Sequence, residues 1–185
     1  MKTAVVVFPG SNCDRDVQRA VSETLKTSVD MVWHEETEFA SEPDLVILPG
    51  GFSYGDYLRS GAMAARSPII AAVRRHAEAG KLLLGICNGF QVLTETKLLP
   101  GALLANTTTT FICKKCYIRV EQTDNFFTYG LKKGEIVEYP IAHHEGLYFL
   151  PPAELEELEK AGRVVFRYAD PATGKAARNT RRTVR

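Results

Sequence analysis

No apolar run in the sequence approaches the roughly 18 residues that a membrane-crossing helix needs. The N-terminal stretch Met1 to Phe8 is too short for a secretory leader and stops at Pro9-Gly10, so it reads as a first strand. Four cysteines in 185 residues do not make a disulfide framework, and a cytoplasmic protein is expected. Cys113-Lys114-Lys115-Cys116 has the spacing of a metal half-site, yet no second pair follows. His143 and His144 could complete such a site in principle, but no metal is expected. There is no internal repeat and no linker. Residues 171 to 185 contain neither an acid nor an aromatic, and no apolar periodicity is visible after Thr173. The net charge of +1 hides this asymmetry: Lys175, Arg178, Arg181, Arg182 and Arg185 crowd the end, and without them the remainder is acidic. Such a segment, with no scaffold of its own, reads as a solvated, disordered tail. A nucleic-acid surface is not expected.

What is present is ordinary for a soluble globular chain: 45% hydrophobic and 24% charged residues, enough for one domain with a core. Residues 3–8, 29–33, 44–48 and 81–86 have strand character. Residues 14–25 and 67–79 have helical spacing, the second closed by Gly80. Strands alternating with helices predict an α/β fold: an open, mostly parallel sheet with helices on both faces. Residues 111–120, 134–142 and 164–168 are richer in aromatic and β-branched residues and predict a small antiparallel extension. Pro151-Pro152 opens a charged helix that Gly162 ends.

The centre of the chain is Lys81 to Leu93. An apolar strand runs into a helical pattern at Gly85-Ile86-Cys87-Asn88-Gly89. A cysteine flanked by glycines two residues away, at a strand-to-helix turn, has the layout of a nucleophile elbow. The glycines are expected to keep side chains off the sulfur, and the helix N-terminus to favour a thiolate. A buried structural cysteine is the plain alternative. Asn12, Gly51 and Cys87 all fall at the carboxyl ends of strands, where such sheets bind ligands. Pro49-Gly50-Gly51 can turn a backbone amide toward Cys87, with the amide of Asn88 as the second donor of an oxyanion hole. An ordinary Gly-Gly turn is the alternative there. Pro140-Ile141-Ala142-His143-His144-Glu145-Gly146 holds two imidazoles and a carboxylate. Either histidine could be drawn as the base of a triad, although a lone histidine is more often structural.

Four segments together carry a family resemblance over residues 1 to about 170. They are Val6-Val7-Phe8-Pro9-Gly10-Ser11-Asn12-Cys13-Asp14; Leu48-Pro49-Gly50-Gly51-Phe52-Ser53-Tyr54-Gly55-Asp56-Tyr57-Leu58-Arg59; Gly85-Ile86-Cys87-Asn88-Gly89-Phe90-Gln91; and Pro140 to Gly146. The chain resembles the glutamine amidotransferase subunit of phosphoribosylformylglycinamidine synthase. The resemblance implies the flavodoxin-like class I amidotransferase fold and glutamine hydrolysis to glutamate and ammonia. It implies two protein partners: a large synthetase subunit that uses ATP and magnesium to aminate formylglycinamide ribonucleotide, and a small accessory subunit. This subunit itself would need no cofactor. Cys87 would attack the glutamine amide, Gly50, Gly51 and Asn88 would form the oxyanion site, and Gln91, His144 and Glu145 would hold the substrate. The family has glycine where His144 stands, so this side chain would crowd the substrate.

The resemblance stops near Lys175, ahead of the family's Pro-His-Pro-Glu-Arg segment with its triad histidine and glutamate. On this reading residues 1–174 are an incomplete amidotransferase domain, residues 175–185 a basic tail, and the glutaminase is weakened. An inactive docking subunit of the synthetase is the alternative. A cysteine-dependent deglycase or protease of the same fold is more remote, since Gln91 and the Gly-Gly turn argue against it.

Overall fold

The computed structural model describes residues 1–57 and 59–175. The expected basic tail therefore lies, from residue 176 on, outside the described residues. Two compact units are present, Met1–Ala102 and Leu103–Arg185.

The first unit is built on four parallel strands: β1 (Thr3–Val7), β2 (Val29–Trp33), β3 (Leu45–Leu48) and β4 (Leu82–Gly85), in the order β2-β1-β3-β4. Side chains alternate between the two faces of a strand, and the core divides accordingly. Ala4, Val6, Phe8, Val46 and Leu48 pack on one face with Ile69, Ile70, Val73, Val92 and Leu93. Val5, Leu45 and Ile47 pack on the other with Val17 and Val21. Helix α1 (Asp14–Leu25) supplies those last two residues, and none of its own residues is fully buried. Helices α3 (Ile70–Glu78) and α4 (Asn88–Glu95) cover the first face, with the short α2 (Ser60–Ala64) against α4. Each fully buried Val, Ile, Leu or Phe contributes about 1.5–3 kcal/mol of transfer free energy.

Two differences from expectation have simple causes. The helix expected from Ser67 begins as an α-helix only at Ile70, because its first turn closes tighter i→i−3 bonds, Ile70 N–H to Ser67 O and Ala71 N–H to Pro68 O. Strand β4, expected to be buried, is half-buried throughout, since it stands at the sheet's edge among the described strands.

The second unit carries the antiparallel structure as sheets of its own. Strand β6 (Ile112–Val120) lies between β7 (Ile136–His143) and β9 (Phe166–Tyr168), antiparallel to both. Pro140 is tolerated inside β7 because β7 is an edge. The three-residue strands β5 (Ala102–Leu104) and β8 (Leu147–Phe149) pair with each other, and α5 (Pro152–Lys160) follows. Among the described residues no helix is long and apolar enough to cross a membrane.

Candidate active site

Cys87 takes φ 52° and ψ −109° between β4 and α4. This left-handed backbone at a non-glycine residue costs of the order of 1–3 kcal/mol and persists only where its surroundings enforce it. The flanking glycines do the enforcing, in a way that differs from the expectation that they clear space for the sulfur. A Cβ on Gly85 would lie 2.5 Å from Leu93 Cδ1 and 2.8 Å from the backbone of Gly89. A Cβ on Gly89 would lie 1.9 Å from the carbonyl oxygen of Leu48. Both glycines let α4 ride on the sheet backbone, and the strain is left to Cys87.

The other wall is the turn after β3. Gly51 adopts φ +96°, and a Cβ there would strike Asn12 Oδ1 at 2.5 Å and the Cys13 amide at 2.7 Å. Gly50 lies flat against the elbow, since a Cβ on it would stand 3.0 Å from Cys87 Cβ. The backbone amides of Asn88 and Gly51 both address the Cys87 sulfur and lower its pKa. They do not prevail. The residue as a whole is open to solvent, yet protein atoms crowd the thiol, and this loss of water is the largest influence. The Asp56 carboxylate adds to it. The net direction is upward, opposite to the thiolate expected from the helix N-terminus alone.

Beneath the elbow the side chain of Asn88, 4% exposed, organises a polar cluster. Its Oδ1 accepts from Ser53 N–H at 3.1 Å, and its Nδ2 lies 3.1 Å from Asp56 Oδ1, 3.0 Å from Ser60 Oγ and 2.9 Å from Gln91 Oε1. Ser60 Oγ also donates to Gln91 Oε1 at 3.1 Å. Gln91, expected on the substrate, is 9% exposed with its amide oxygen held inside this cluster. The strand-to-α2 connection that supplies Ser53 and Asp56 is strained, with positive φ at Phe52, Tyr54, Asp56 and Arg59. Tyr54 N–H is tied to Pro9 O at 2.7 Å and Arg59 forms an ion pair with Glu95.

Gly50, Gly51, Cys87, Asn88 and Gln91 thus come together in the first unit. His143, His144 and Glu145 belong to the second. There the Asn106 side chain spends its Nδ2 protons on the carbonyls of Thr110 and His143, both at 2.9 Å. Its Oδ1 accepts from Gly146 N–H at 3.0 Å and lies 2.9 Å from His143 Nδ1. That assignment makes His143 Nδ1 a donor. Burial lowers the pKa of His143, so the neutral ring is favoured. His143 is a structural peg, and His144 is exposed. The imidazoles of the first unit are engaged elsewhere: His34 with Ser67 and Tyr54, His76 with the Leu82 carbonyl. Cys113 and Cys116 lie three residues apart on β6, hence on opposite faces, one exposed and one buried. Among the described residues no three His, Cys, Asp or Glu side chains gather as a metal site.

A cysteine on a strained strand–helix turn, faced by two backbone amides, is the equipment for acyl transfer from an amide. Residues 1–182 match the family described as the CobB/CobQ-like glutamine amidotransferase domain, which gives the class of protein. Phosphoribosylformylglycinamidine synthase subunit PurQ of Novosphingobium aromaticivorans is 51% identical over 174 residues, 94% of this chain and 77% of that one. The same subunit of Cereibacter sphaeroides is 54% identical over 174 residues, 94% and 78% respectively. The chain belongs to this PurQ family. A solved structure of PurLQS from Thermotoga maritima superposes with a TM-score of 0.77 at 43% identity, covering 91% of this chain and 74% of that one. The glutaminase domain of Trypanosoma brucei CTPS, at 16% identity and TM-score 0.56, covers 95% of this chain and 77% of that one and shares the fold.

The strand-to-helix turn expected at Cys87 is present, with the Asn88 and Gly51 amides toward its sulfur. Sequence reasoning missed Ser11, Ser60 and the Asn88 side chain. Asp56 stood inside the Gly-Gly-Phe-Ser-Tyr-Gly-Asp run, the one available signal for it.

Proposed function

We propose that this chain is the glutamine-hydrolysing subunit of phosphoribosylformylglycinamidine synthase. The observation that carries the reading is the pair of amides, Gly51 and Asn88, facing a strained Cys87. The Cys87 sulfur, once deprotonated, attacks the carboxamide carbon of glutamine. The carbonyl oxygen becomes an oxyanion, and the two N–H groups stabilise it. Collapse of the tetrahedral intermediate breaks the C–N bond; the nitrogen leaves as ammonia after taking a proton. A γ-glutamyl thioester remains on Cys87, and water hydrolyses it to glutamate and the free thiol. The Asn88–Gln91–Ser60–Asp56 cluster holds the base of the elbow rigid beneath these steps.

The ammonia passes to a large synthetase subunit, with which a small accessory subunit assembles. ATP and magnesium belong to the synthetase, where formylglycinamide ribonucleotide is aminated, and this chain needs no cofactor. The kinship with named synthase subunits favours this role over an inactive docking subunit. The test is ammonia release from glutamine by this chain assembled with its synthetase. Release that vanishes in Cys87→Ala supports the proposal; release unchanged in that variant contradicts it.

A further inference from the structure

The Gly51 amide is half of the oxyanion site, and a backbone amide has no side chain to steer it. Something must set the plane of the Gly50–Gly51 peptide. In a planar trans peptide the C=O and the following N–H point in opposite directions, so whatever grips the Gly50 carbonyl also aims the Gly51 N–H. In this chain the grip is a side chain. Ser11 Oγ donates to Gly50 O at 2.9 Å, across 39 residues of sequence and in a half-buried setting. The next carbonyl is held by the same turn, with Asn12 N–H donating to Gly51 O at 3.1 Å. The left-handed φ of Gly51 turns both carbonyls toward that turn, and the close approach of Gly50 to Cys87 leaves the intervening N–H on the elbow side.

We propose that Ser11 is a positioning residue of the oxyanion site: its hydroxyl anchors the Gly50 carbonyl and so directs the Gly51 N–H at Cys87. The Pro9–Cys13 turn is then a template for the catalytic backbone as well as the link from β1 to α1. In this proposal Ser11 acts through the peptide it holds. This inference rests on the glutaminase reading for its effect on turnover, but its effect on the thiol does not.

The experiment compares Ser11→Ala and Ser11→Thr with the unaltered chain. The first readout is the pH profile of iodoacetamide alkylation at Cys87, followed by mass spectrometry. Freed from its anchor, the Gly51 amide bonds the thiolate less well, so the Ser11→Ala profile moves to higher pH and Ser11→Thr stays with the unaltered chain. The second is ammonia release in the assembled synthase. There kcat falls about tenfold or more in Ser11→Ala, within the roughly 10²–10³-fold cost of deleting an oxyanion donor, while KM changes little and Ser11→Thr restores kcat. Ser11→Val against Ser11→Thr, which differ in the hydroxyl and not in shape, gives the same contrast if the alanine variant folds poorly. An unshifted alkylation profile overturns the inference, as does a threonine variant as impaired as the alanine one. If the unaltered synthase releases no ammonia, the glutaminase reading fails, and the alkylation profile alone decides on Ser11.

Discussion

Gly89 sits directly on the Leu48 backbone: a Cβ on the first would stand 1.9 Å from the carbonyl oxygen of the second. Helix α4 and strand β3 are therefore as close as two backbones can come, and this contact sets the height of Cys87 above the sheet. In Gly89→Ala the added methyl meets main chain, which cannot swing aside. The expected cost is about 1–3 kcal/mol or more, from overpacking. Urea denaturation of the purified subunit measures it. Stability equal to that of the unaltered chain would show that α4 shifts freely.

The Asn88 side chain makes a separable contribution, because the oxyanion donor proposed for Asn88 is its main-chain amide. Asn88→Ala keeps the amide and removes the partner of the buried Ser53 N–H, Ser60 hydroxyl and Gln91 oxygen. Ser60 and Gln91 keep each other, but leaving the buried Ser53 N–H unpaired costs about 1–3 kcal/mol. The melting temperature should fall, and glutamine protection of Cys87 from alkylation should weaken as the elbow loosens. An unchanged melt would mean that the cluster closes without Asn88.

Strands β1, β3 and β4 were legible as short apolar runs bounded by turn residues, and α1 from Val17 and Val21 one helical turn apart. The elbow was legible from two glycines and a cysteine. Other features left little trace. Helix α2 is five residues of Ser-Gly-Ala-Met-Ala, too short and too uniform in size for a period. Strands β5 and β8 have three residues each. The left-handed Phe52 and Tyr54 are residue types that do not announce positive φ, and long-range bonds such as Tyr54 N–H to Pro9 O help hold the turn. The direction of the Cys87 pKa was misjudged because the helix N-terminus can be read from sequence and desolvation cannot.

That direction is itself testable. Burial around the sulfur makes folded Cys87 hold its proton more tightly than the unfolded chain does. Its contribution to stability is then fully present below the unfolded thiol's pKa and is lost as pH rises through the higher folded value. Reactivity follows the same shift. Without glutamine, the alkylation rate of Cys87 should rise with pH around a midpoint above that of the same cysteine in the urea-unfolded chain. A midpoint below the unfolded one would mean that the two amides outweigh burial.

In the second unit, His143→Ala should act on stability. The ring lies against Gly146 and bonds Asn106, which also braces two carbonyls and one amide. Loss of one such bond costs about 0.5–1.5 kcal/mol. His144→Ala, at an exposed position, should leave the denaturation midpoint within error. Equal midpoints for the two variants would contradict the structural role of His143.

The central claim is that Cys87 is the residue that takes the acyl group from glutamine. The most direct measurement is peptide mapping after treatment with an electrophilic glutamine analogue, with and without glutamine present. The account predicts one adduct per chain, on Cys87, suppressed by glutamine and absent in Cys87→Ala, with Cys13, Cys113 and Cys116 unlabelled. An adduct that persists in Cys87→Ala, or that glutamine does not suppress, would contradict it.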